Sequence, residues 1–160
     1  MPDTPAVVVI GIGNDFRHDD AVGLEVARLV RRARLDNVIV VGGVSDDYAL
    51  LNAWQECDCA YVVDATTSGS EPGTIRSYDA LADNIPAELF SSFSTHTLNI
   101  PKTIELARTL ARLPRQLTVI GIEGGNFTHG EGLSPKLEQA AAEVAASIIH
   151  SCRSLSRVSK

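Results

Sequence analysis

The stretch "VIGIGNDFRHDDAVG", residues 9–23, decides the reading of this chain. It joins an apolar, β-branched run, "AVVVIG" at 6–11, to "DDAVGLEVARLVRRARL" at 19–35. The first segment has the length and composition of a buried strand. In the second, Val22, Val26, Leu29 and Val30 fall on one helical face. The junction, residues 11–23, holds three glycines and several ionisable side chains. In α/β proteins a strand–turn–helix of this kind often holds a phosphate, but here the chemistry opposes one. A dinucleotide fingerprint needs a glycine at 16, where this chain has Phe16, and Asp15, Asp19 and Asp20 would repel a pyrophosphate. No Gly-Lys-Ser/Thr follows, so a P-loop is also absent.

Working outward, "VIVVG" at 38–42 predicts a second strand, and "SDDYALLNAWQE" predicts a helix capped by Ser45 or Asp46. "AYVVDA" at 60–65 predicts a third strand and "SGSEPG" a turn. "TIRSYDAL" has a weak period of two, which suggests a short edge strand. "NIPAELFSSFSTHTLNIP" is irregular; Ile104, Ala107, Leu110 and Ala111 then mark a helix. "QLTVIGI" at 116–122 is the last strand, "EGGNFTHGEGL" a glycine-rich loop, and a final helix begins at Ser134 and Pro135 with Leu137, Val144, Ile148 and Ile149 as its apolar stripe. The order β-α-β-α-β-β-α-β-α, with right-handed parallel crossovers, predicts a three-layer α/β sandwich.

Composition narrows the function. The 160 residues suit one domain over 1–160, and 44% hydrophobic with 21% charged residues is ordinary for a globular protein. A formal net charge of −6 and no basic stripe argue against a nucleic-acid partner. Arg28, Arg31, Arg32 and Arg34 read as a solvated helix end that suits the macrodipole. No run approaches a membrane span, no basic start precedes the first apolar run, and three cysteines suggest reduced thiols, so the expected compartment is the cytoplasm. Cys57 and Cys59 sit at the head of the third strand and Cys152 on the last helix, where all three read as packed thiols; Trp54 reads as a core anchor.

Asp19 and Asp20 have two readings. Carboxylates at a helix start are stabilising caps, yet one suffices for that, and a second adjacent one is free for other work. Asp64 ends the third strand, at the edge where open α/β sheets bind ligands. Capping of the next loop explains Asp64 equally well taken alone. Together, Asp20 and Asp64 would converge on one crevice. His96, in a loop on the same side of the sheet, is the candidate third group. Two carboxylates and one imidazole suit a divalent cation such as zinc or nickel and leave a coordination position open. His18 and His129, in loops near the crevice, are possible supporting groups, and His150 reads as surface.

These blocks, with "YVVDATTSGSEPGTIRSYD", "STHTLNIPKTIELA" and "VIGIEGGNFTHGEGLSPKLEQA", resemble the hydrogenase maturation proteases over nearly the whole chain. The resemblance implies a mixed, mostly parallel five-stranded sheet with helices on both faces. It implies an endopeptidase that removes the C-terminal extension of a nickel–iron hydrogenase large-subunit precursor once nickel is in place. The nickel, carried by the substrate, would be the recognition element, with other divalent cations able to substitute. The family's two metal-binding acids fall on Asp20 and Asp64 and its histidine on His96, which would be both ligands and catalytic groups. The chain departs from many members at Val41-Gly42-Gly43-Val44, where they carry Asp-Gly-Gly-Thr, and at Gly124, where they carry proline. No Ser-His-Asp or Cys-His pattern stands out, so the cleavage chemistry expected is metal-polarised attack assisted by a carboxylate. Competing readings are a metal-dependent small-molecule hydrolase, a receiver-like module, which would need a lysine where Gly121-Ile122-Glu123 ends the last strand, and a flavodoxin-like module.

Overall fold

Strand β1 (Val7–Gly11) is an inner strand in a computed structural model that describes residues 6–90 and 98–158. All five of its residues are buried, which is why it reads as a continuous apolar run and not an alternating one. It pairs in parallel with β2 (Val38–Gly42) on one side and β3 (Cys59–Thr66) on the other. β3 pairs in parallel with β5 (Gln116–Glu123), and β4 (Ile75–Asp79) closes the far edge antiparallel to β5. The sheet order is β2-β1-β3-β5-β4, so the architecture is a mixed, mostly parallel five-stranded sheet.

Alternate residues divide the core into two layers. Val7 and Val9 of β1 pack with Val22, Val26 and Val30 of α1 (Val22–Arg32) and with Leu137, Val144 and Ile148 of α4 (Pro135–Val158). Val8 and Ile10 pack with Leu50 and Trp54 of α2 (Asp47–Trp54) and with Ile100 and Ile104 of α3 (Ile100–Thr109). Helices therefore cover both faces, as the element order predicts. Asp46 caps α2 through a 2.8 Å bond from the Ala49 amide. The indole N–H of Trp54 donates to the Arg112 carbonyl at 2.9 Å, tying α2 to the turn after α3. Cys57, Cys59 and Cys152 are free and buried.

One expectation fails in detail. Leu110 and Ala111 do not continue the apolar stripe of α3: the helix stops at Thr109, Leu110 is 50% exposed, and Ala111 has φ 54°. Its buried face is Ile100, Thr103, Ile104 and Ala107 instead. The periodicity ran on past the helix because small and apolar residues also fill the turn that follows. No helix among the described residues is long and apolar enough to cross a membrane.

The glycines of the first turn serve packing. A side chain on Gly23 would collide with the carbonyl oxygens of Val63 and Ile12, and one on Gly13 with that of Asp20. The start of α1 thus lies directly on the β1–β3 backbone, close against the turn. That turn is folded back on itself, and that brings its acids to the carboxyl ends of the strands.

Candidate active site

The segment before α1 is a single 3-10 turn, His18–Ala21, not part of the helix proper. Neither aspartate caps it by side chain, and the two adjacent acids point to different places. Asp19 is fully buried. Its Oδ1 accepts from the Ser134 amide and hydroxyl, both at 2.9 Å, and its Oδ2 accepts from the amides of Gly125 at 2.8 Å and Asn126 at 2.9 Å. Burial alone would raise its pKa, but these four bonds together outweigh burial and hold it below the usual range. Asp19 therefore ties the glycine-rich loop and the start of α4 to the first turn. Backbone bonds from Asp19 to Asn126, His18 to Gly130 and Gly130 to Phe16 complete the seam.

Asp20 faces the other way. It lines a cavity of about 290 Å³ with Asp64, Asn14, Phe16, Gly43, Val44 and others. Burial holds the Asp20 carboxyl above its ordinary value, opposed by the Asn14 backbone N–H and the Arg17 charge. Asp64 shares the parity of Ala60 and Val62 on β3 and emerges where that strand ends. It is buried, and its Oδ1 accepts a 2.8 Å bond from the next amide, Ala65. Burial, and then the charge of Asp20, push its pKa well above its ordinary value. The two acids thus sense each other across one cavity, as the crossover argument expects. Two carboxylates in this relation bind a shared proton or a cation more favourably than either could alone.

His96 lies in the segment 91–97, outside the described residues. Leu98, two positions later, lines the same cavity. Among the described residues no group of three or more His, Cys, Asp or Glu is placed to hold a metal. His18 turns away from the cavity: its ring lies against Gly130, and Nδ1 donates to the Gly132 carbonyl at 2.9 Å. His129 and His150 are exposed and do not line the cavity.

Sequence reasoning passed over Glu123, which is buried at the end of β5. It accepts from the Thr66 hydroxyl at 2.6 Å, the Ser68 amide at 2.7 Å, the Gly69 amide at 2.9 Å and the Ser68 hydroxyl at 3.0 Å. It fixes the turn after β3, and so the backbone that follows Asp64. A lone acid closing an apolar strand, opposite a Thr-Ser-Gly turn, is the signal that could have found it. This acid stands where a receiver module would carry its lysine.

The family model described as hydrogenase maturation protease matches residues 24–151. A Methanocaldococcus jannaschii protein, named as a candidate hydrogenase maturation protease, is 33% identical over 140 residues, covering 86% of this chain and 87% of its own length. The hydrogenase expression/formation protein HupD of Thiocapsa roseopersicina is 26% identical over 143 residues, or 87% of this chain. The chain spans 64% of the length of that HupD and 61% of that of the Rhizobium leguminosarum HupD. The crystal structure of a [NiFe] hydrogenase maturation protease HycI from Thermococcus kodakarensis matches with a TM-score of 0.71 at 26% identity, covering 94% of each chain.

Proposed function

Since the chain belongs to the hydrogenase maturation protease family, we propose that it is an endopeptidase that removes the C-terminal extension of a nickel–iron hydrogenase large-subunit precursor after nickel insertion. The observation that carries this reading is the convergence of Asp20 and Asp64 on one cavity, each with its proton held more tightly than usual. A divalent cation entering between them replaces protons and relieves their mutual repulsion.

The cation is the nickel of the substrate, with other divalent ions able to replace it. Asp20, Asp64 and His96 are its ligands on the protease side and the catalytic groups. The donor set suits the role: two carboxylate oxygens and an imidazole, with the thiols of Cys57 and Cys59 at the opposite end of β3. Three ligands leave room for a metal already held by another protein. Bound there, the ion supplies Lewis acidity to the scissile carbonyl or to water. A carboxylate of the pair takes the proton of the attacking water and returns it to the departing amine. The acidic surface and free thiols fit a cytoplasmic enzyme that meets its precursor before assembly.

The test is incubation with nickel-loaded and nickel-free large-subunit precursor. Cleavage of the loaded form alone is expected; cleavage of neither ends the peptidase reading. Asp20→Asn, Asp64→Asn and His96→Ala should each abolish processing while the proteins stay folded. Normal processing by all three would remove the site.

A further inference from the structure

The two edges of the sheet are finished differently. β4 carries Arg76, Ser77 and Asp79 exposed along its length. Charged edges of this kind discourage pairing with another chain. β2, the opposite edge, is "VIVVG", with no charge and no proline; its Ile39 is 54% exposed. An uncharged, apolar edge strand is a ready template for a further strand.

The backbone of β2 has the right polarity for this. The Asn37 carbonyl accepts from the Val7 amide, and the Gly43 amide donates to the Gly11 carbonyl. By the alternation of a parallel ladder, residues 37, 39, 41 and 43 face β1. The N–H and C=O groups of Val38, Val40 and Gly42 then face outward. The guanidinium of Arg31 confirms that direction, reaching the outer Val40 carbonyl through a long 3.3 Å bond. Among the described residues it is the one side chain that bonds that row.

The strand also leads somewhere. Gly43, Val44 and Ser45, which continue directly from β2, line the cavity that holds Asp20 and Asp64. A peptide laid along the outer edge of β2 is therefore carried to the two carboxylates.

We infer that the outer edge of β2 binds the substrate by strand addition, with the precursor segment beside the scissile bond pairing in extended form with Val38, Val40 and Gly42. This rests on the peptidase reading above and gives it a substrate-binding surface. Main-chain pairing holds a peptide bond in a fixed line with little demand on side-chain identity. It also presents that bond in the extended form that attack at a carbonyl requires.

The experiment uses a nickel-loaded precursor that the wild-type chain cleaves, so failure of the peptidase reading would show first, as no cleavage at all. Asp64→Asn protein, incubated with that precursor, is followed by hydrogen exchange. Slowed exchange at Val38, Val40 and Gly42 is expected. Binding with protection elsewhere and none on β2 overturns the inference, as does protection that appears without precursor and grows with protease concentration, since that marks a second copy of the chain. In parallel, Val40→Pro deletes one outward donor while leaving the β1 ladder in place. It should raise KM at least tenfold with kcat within about twofold. If Val40→Pro does not fold, Ile39→Lys, at an exposed position, should raise KM in the same way; unchanged KM in the folded variant overturns the inference.

Discussion

The carboxylates of Asp19, Glu123, Asp20 and Asp64 lie along the carboxyl edge of the sheet, in two regions built on opposite terms. On one side, Asp19 and Glu123 are buried and well supplied: four donor groups each among the described residues, amides and hydroxyls of the loops they hold. On the other, Asp64 is buried with one side-chain bond among the described residues, from the Ala65 amide, and faces a second acid, Asp20. Donors are not scarce here. Among the described residues they are directed mainly to the first pair, while Asp20 draws on the Asn14 amide and Asp64 on that of Ala65. Under-partnered buried charge is costly, and it persists where a function uses it. Under the proposed function, Asp19 and Glu123 are the frame and Asp20 and Asp64 the working pair.

The largest effect should come from the working pair. Asp64→Asn removes an oxygen ligand while keeping shape, and processing should fall by at least about a thousandfold, or ~4 kcal/mol. Stability should move the other way. The Asp64 pKa is raised in the folded state, so the group opposes folding increasingly as pH climbs from the unfolded value of 3.8 toward its folded one. Asn at 64 removes that penalty, so the variant's Tm should exceed wild type near pH 7 and approach it as pH falls. A variant less stable than wild type at neutral pH would break the comparison, since Asp64 would then belong to the frame.

The frame should behave in reverse. Asp19→Ala strands the amides of Gly125, Asn126 and Ser134 in a buried seam, at a cost of about 3–5 kcal/mol. For a chain of this size that is roughly 10 °C in Tm. Because the Asp19 pKa is lowered in the folded state, its contribution is present above 3.8 and is lost as pH falls through the folded value. Acid unfolding of wild type below about pH 4 should thus be steeper than that of Asp19→Asn, measured by circular dichroism.

Glu123→Gln keeps one acceptor oxygen and should cost less, about 1–2 kcal/mol. Its mark should be local: faster hydrogen exchange at the Ser68 and Gly69 amides, which lose their charged acceptor.

Sequence made the working pair more legible than the frame, for a physical reason. Asp64 follows from strand order, because it sits near the carboxyl end of β3 beside its parallel neighbour β1, and Asp20 follows from the short turn that must return from β1 to α1 over that same edge. Asp19 looks the same as Asp20 in one dimension. Only the return of the glycine-rich loop, more than a hundred residues later, supplies the donors that separate them. Glu123 was hidden likewise, because its partners come from the turn after β3. The end of α3 was misread because apolar Leu110 and Ala111 kept a helical spacing that the backbone abandons at Thr109. Local pattern specifies which residues face the core; the loops that cross the sheet edge decide which polar groups are satisfied.

The smallest expected effect sharpens the frame. Lys136 on α4 reaches Glu71 at 2.8 Å, bridging the turn after β3 to the last helix, as Glu123 bridges that turn to β5. Both partners of this ion pair are largely exposed, 61% and 77%. Water screens such pairs, and ordering two long side chains offsets the attraction that remains. Lys136→Ala should therefore leave Tm unchanged within measurement error, in low and high salt alike. A clear, salt-sensitive drop would mean that the turn is held from its solvent side, and that the buried Glu123 does not set the backbone beyond Asp64.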